Sequence, residues 1–121
     1  YKSKISTKGR PRGIAASHTN NYLMVVSVDE ANVMVFNKDN TLAFQFPTVP
    51  SSGVSTIHNK TDMDLQSVAV KNDGTIIVGD VRRMVLTQHN PADGSLLRTI
   101  SVRIKPYFLA VDRYDRILIS D

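Results

Sequence analysis

Hydrophobic and polar positions alternate with period two along most of this chain. Short runs of β-branched and aliphatic residues, LMVVSV, TIIVGD and RILISD, are bounded by Asn, Asp and Gly. That alternation belongs to half-buried strands, and the bounding residues are turn formers. After the first two runs come NVMVFNKD and RMVLTQHN, followed by TLAFQF and SLLRTISV. Asp39-Asn40 and Asp93-Gly94 stand where the chain must turn between these later strands. No segment carries the 3.6-residue period of an amphipathic helix, so the expected class is all-β.

The strand pattern also repeats. Three segments align: GIAASHTNNYLMVVSVD from Gly13, SVAVKNDGTIIVGD from Ser67 and FLAVDRYDRILISD from Phe108. In this alignment the first copy has three extra residues in its hairpin, and Asp29, Asp80 and Asp121 close the second strands. Val68 and Leu109 are 41 residues apart, and Ile14 and Val68 are 54 apart. The excess falls in the Pro/Ser/Gly-rich segment 47–61. Four antiparallel strands in about 40 residues is the unit of a β-propeller blade. Residues 5–11 (ISTKGRP) parallel residues 100–106 (ISVRIKP). The expected organisation is therefore an outer strand of a preceding blade at 1–10, a blade with a long loop at 11–63, a blade at 64–104, and the first two strands of a further blade at 105–121. On this reading the chain supplies part of a ring. Its uncovered blade faces are expected to associate with other copies or with the missing blades.

The segment PRGIAAS…LMVVSVDEANVMVFN resembles the NHL repeat, with its Pro-x-Gly-Ile-Ala opening and its hydrophobic strand ending near Asp. SVAVKNDGTIIVGDVRRMVLTQHNPADGSLLRTI and KPYFLAVDRYDRILISD continue the likeness. Leu65-Gln66-Ser67 and Pro106-Tyr107-Phe108 depart from the Pro-x-Gly opening. The resemblance implies an NHL-type propeller of the kind found in tripartite-motif (TRIM) proteins, which bind RNA or protein partners. Other NHL-type propellers are lyases that hold zinc through histidines, which keeps a zinc-dependent enzyme as the alternative.

Composition narrows the options. The chain has 121 residues, 41% hydrophobic and 21% charged, enough apolar content for a packed core. No apolar run nears the ~20 residues that span a bilayer, so no membrane partner is expected. Cysteine is absent, which excludes disulfides and thiolate metal sites and fits a cytoplasmic location. The formal charge of +4 permits a polyanionic partner. The sequon Asn59-Lys60-Thr61 is read as a chance match.

In a propeller, the links between blades and the turns from second to third strand emerge on one face. Here those segments carry Arg10, Arg12, Arg82, Arg83, Arg103, Lys105 and Tyr107, with Lys8 nearby. These seven, from Arg10 to Tyr107, are the candidate binding residues for single-stranded RNA or a protein partner. Cations neutralise phosphates, and an exposed tyrosine stacks bases. Asp29, Glu30, Asp62, Asp64 and Asp80 lie on the same face and dilute its field, and a set of ordinary solvated loop charges is the plainer alternative. The recurring aspartates are read as turn-capping groups, since a short carboxylate can accept backbone N–H bonds of the next turn. Asp112 and Asp115 are read the same way. His18, His58 and His89 are too dispersed over strands and turns to converge on one ion; His18 and His89 are placed in turns on the face opposite His58. No phosphate loop, nucleophile elbow or metalloprotease motif occurs. Neither a catalytic residue nor a cofactor is expected.

Overall fold

The structure, a computed structural model, describes residues 11–17, 22–27, 32–48 and 64–121. Among them there are ten strands and no helix. β1 (Pro11–Ala16), β2 (Leu23–Ser27), β3 (Asn32–Phe36) and β4 (Leu42–Pro47) form one four-stranded antiparallel sheet in chain order. β5 (Leu65–Val70), β6 (Ile76–Asp80), β7 (Val85–His89) and β8 (Leu96–Ser101) form a second with the same order. β9 (Phe108–Val111) and β10 (Ile117–Ser120) pair as a hairpin. The expected outer strand at 1–10 and most of the 47–61 loop lie outside the described residues.

β1 packs beside β5, and β5 beside β9, so the first strand of each sheet meets the first strand of the next along a common hub. The main core fills the space between the two full sheets. Met24, Val33, Val35 and Phe46 come from the first; Leu65, Val68, Ile76 and Val78 come from the second. Alternation explains how the sheets stack. Every residue of β6 is buried, because Ile76 and Val78 face the first sheet while Gly79 on the other side approaches Pro106 of the next unit. β9 and β10 instead alternate between exposed and half-buried residues, as strands covered on one face do.

The register repeats closely. β1 is bulged between Pro11 and Gly13, and β5 at the matching place between Leu65 and Ser67. β4 and β8 are bulged at matching places, at Ala43 opposite Val35/Phe36 and at Leu97 opposite Gln88/His89. This register corrects the alignment of the first hairpin. Ser27 pairs with Pro11 as Asp80 pairs with Leu65, so Ser27 and not Asp29 occupies the strand-closing position. Six residues (17–22) separate β1 from β2 and five (71–75) separate β5 from β6, so that hairpin is longer by one residue.

The tight turns sit where Asp-Asn and Asp-Gly pairs were found. Asn40 (φ 71°), Gly74 (φ 95°) and Gly94 (φ 76°) take the left-handed conformation. The preceding aspartates cap these turns: Asp39, Asp73 and Asp93 accept the backbone N–H of Thr41 (3.1 Å), Thr75 (2.9 Å) and Ser95 (2.9 Å). His89 differs from its expected place in a turn. It ends β7, fully buried, with its ring centroid 4.5 Å from that of Phe46. Its Nδ1–H donates to the Gly94 carbonyl (3.0 Å), and Nε2 accepts from Thr87 Oγ1 (2.8 Å). Burial without a counter-charge pushes its pKa down to about 4.

Candidate functional site

The site is assembled from two segments of the second and third units. The first is the turn 81–84 between β6 and β7, and the second is the link 102–107 between β8 and β9. Asp80 builds the first. Its buried Oδ1 accepts the backbone N–H of Asp64 (3.0 Å), Arg82 (3.0 Å) and Arg83 (3.1 Å). Its Oδ2 accepts from Arg83 Nε at 2.6 Å. Arg83 extends the clamp to the end of β4, donating to Thr48 Oγ1 at 3.1 Å. One carboxylate thus satisfies the turn, the entry to β5 and a guanidinium that ties two sheets together. The recurring aspartate is architectural at this position.

The second segment is held against the first. Val102 N–H donates to the Met84 carbonyl (3.0 Å), and Ser67 Oγ donates to the Pro106 carbonyl (2.8 Å). The close approach requires Gly79, where an added Cβ would collide with Ser67 Oγ and come within 2.8 Å of the Pro106 oxygen. Arg103, Lys105 and Tyr107 are thereby presented beside Arg82 on a braced scaffold.

The candidate residues fare differently. Arg82, Arg103 and Lys105 are exposed, and none makes an ion pair or side-chain hydrogen bond among the described residues. Tyr107 is 38% exposed, as is its neighbour Ile104. Arg12 is exposed and donates to Gln66 Oε1 at 3.3 Å, and Gln66 Nε2 donates to Asp64 Oδ1 at 2.8 Å. Arg83 is turned inward by Asp80 and Thr48 and is not available as a free cation. Arg10, Lys8, Asp29, Glu30, Asp62, His18, His58 and Asn59 lie outside the described residues. Sequence reasoning missed Gln66, whose sole signal was its place one residue before Ser67 in a strand opening. Among the described residues no group of three or more His, Cys, Asp or Glu could hold a metal ion.

No protein-family model matches the chain, and no curated protein matches it by sequence. Solved structures do resemble it. Virginiamycin B lyase from Staphylococcus aureus superposes with a TM-score of 0.70 at 13% identity, over 95% of this chain and 36% of that one. Hydrazine synthase of Kuenenia stuttgartiensis gives 0.69 at 12% identity, over 94% of this chain and 30% of that one. A luciferin-regenerating enzyme gives 0.61 at 12%, over 91% of this chain and 35% of that one. The chain therefore spans about a third of these structures. They are β-propeller-type proteins, and at this identity the likeness shows the fold: all-β, of propeller type, built from four-stranded antiparallel sheets.

Proposed function

We propose that the chain is a non-catalytic recognition platform, part of an NHL-type propeller of the TRIM kind, whose loop face takes single-stranded RNA. One observation carries the reading. Arg82, Arg103 and Lys105 are exposed and have no carboxylate partner among the described residues, while Asp64 and Asp80 are occupied by internal hydrogen bonds. Free cations release counterions on meeting phosphates, and a nearby exposed tyrosine offers a stacking plane. The NHL-like sequence pattern adds to this, since propellers of that kind bind RNA or protein.

The test is retention on single-stranded RNA by Arg82→Glu combined with Arg103→Glu. The double reversal is expected to abolish retention, with wild-type affinity falling steeply as salt rises. A protein ligand is the other outcome. It would show little salt dependence and would respond more to trimming 47–61. Zinc found at one per chain by elemental analysis would favour the lyase-type alternative. His89, the one histidine among the described residues, has both ring nitrogens bonded.

A further inference from the structure

We infer that Arg12, at the bulge of β1, and Tyr107, at the matching place ahead of β9, form a base-reading row, in which Arg12 selects guanine and Tyr107 stacks another base of the same strand. This rests on the RNA reading above. A β-bulge sets two residues of one strand against one of its partner and re-aims a side chain. In β1 the residue skipped by the pairing is Arg12, and in β5 it is Gln66. Tyr107 precedes Phe108, which pairs with Ser120 as Ser67 pairs with Gly79, so it holds the same place at the head of β9. The backbone repeats this position three times at the loop-face end of the hub, with an exposed guanidinium and an exposed phenol on either side of the buried Gln66 amide, which serves as the brace.

The chemistry at each position is specific. Arg12 uses one N–H on Gln66 Oε1 (3.3 Å), and Gln66 is itself anchored to Asp64 Oδ1 (2.8 Å). Asp64 N–H is fixed on the buried Asp80 carboxylate (3.0 Å). The arginine fork is braced from one side, and Arg12 is exposed with no other side-chain hydrogen bond among the described residues. A planar group with donors only matches the O6 and N7 acceptors of guanine and meets a donor at adenine N6. The Tyr107 ring stands on a link fixed by Ser67 Oγ to the Pro106 carbonyl (2.8 Å) and by Tyr107 N–H to the Lys105 carbonyl (2.8 Å). Stacking on it accepts any base. β1 packs beside β5 and β5 beside β9, so Arg12 and Tyr107 stand two hub strands apart with β5 between them. An extended strand can run past both, and the exposed Arg103 and Lys105 belong to the link that carries Tyr107.

The test uses the full-length protein and short oligouridine RNAs carrying one guanine or one adenine. The guanine strand is expected to bind about tenfold more tightly. Arg12→Met should erase that preference and leave binding of plain oligouridine. Tyr107→Leu should weaken all strands about tenfold without altering preference, while Tyr107→Phe stays near wild type. Salt-dependent RNA binding in which Arg12→Met and Tyr107→Leu change nothing would overturn the row and leave the loop-face reading standing. A wild-type protein that ignores RNA, including one that captures an anionic peptide instead, would end both.

Discussion

The two rims of the sheets handle charge in opposite ways. On the rim of the strand-to-strand hairpins, the described residues include Asp39, Asp73, Asp93, Asp112 and Asp115 against Lys38, Lys71, Arg113 and Arg116. Nearly all of these are engaged locally. Thr41 holds Asp39 below the usual carboxylate range through its hydroxyl and amide, and the amides of Thr75, Ser95 and Arg116 do the same for Asp73, Asp93 and Asp112. Asp115 accepts Asn72 N–H (2.7 Å) and pairs with Lys71 (3.5 Å), and Arg116 pairs with Asp112 (2.6 Å). On the loop rim the balance among the described residues reverses. Arg12, Arg82, Arg83, Arg103 and Lys105 face Asp64, Asp80 and Asp121. There the two bonded aspartates serve the scaffold, leaving several cations over. Local turn closure consumes carboxylates on one rim, and the surplus on the other is what a polyanion can use.

The largest expected effect comes from Gly79, where the loop rim is assembled. Gly79→Leu would drive its side chain into Ser67 and the Pro106 carbonyl, and loss of the folded state is expected in thermal unfolding. A soluble variant with wild-type Tm would break the claim that the link 102–107 is clamped to β6. Next comes Asp80→Ala, which strands three backbone donors and the Arg83 guanidinium. A destabilisation of about 3 kcal/mol in urea unfolding is expected. Asp112→Ala on the opposite rim should behave as an ordinary surface substitution, because its partners stay solvated. Equal losses at the two positions would erase the contrast.

A smaller effect should follow pH. His89 is buried neutral with its pKa near 4, whereas unfolded histidine titrates near 6.5. Between those values the unfolded chain binds the extra proton, so stability is complete above about pH 6.5 and falls as pH drops toward 4, by on the order of 3 kcal/mol in total. His89→Gln should flatten that part of the stability–pH profile, and a slope unchanged by the substitution would exclude His89 as its source. The smallest effect belongs to Lys38→Glu with Arg113→Glu on the hairpin rim. RNA affinity is expected to shift less than about twofold, since these cations stand away from the proposed path. A loss matching that of the Arg82 and Arg103 reversals would mean that net charge, not the rim, governs binding.

The strands were legible because RILISD alternates, TIIVGD is a short β-branched run bounded by Gly and Asp, and the Asp-Gly and Asp-Asn pairs mark their turns. The hub was legible through Ile14, Val68 and Leu109, each of which pairs into the second strand of its own sheet. Finer placement was not. Asp29 attracted the alignment by its identity, but hydrogen-bond register placed Ser27 opposite Pro11. His89 was placed in a turn, yet the bulge at Leu97 of β8 lets it pair with Leu96 as the last residue of β7, with its ring against Phe46. Arg83 looked like a free cation. Its partner Thr48 is 35 residues away, and only the folded turn shows the two together. Gln66 carries no motif, and its relevance emerges from the bulge that sets it beside Arg12.

The most direct measurement is the salt dependence of single-stranded RNA affinity for the wild-type protein. Three loop-rim cations, Arg82, Arg103 and Lys105, should give a log–log slope of about −2, reduced toward −1 in the Arg82→Glu, Arg103→Glu variant if any binding persists. A flat salt dependence, or a slope that the double reversal leaves intact, would contradict the assignment of this rim as the RNA-binding surface.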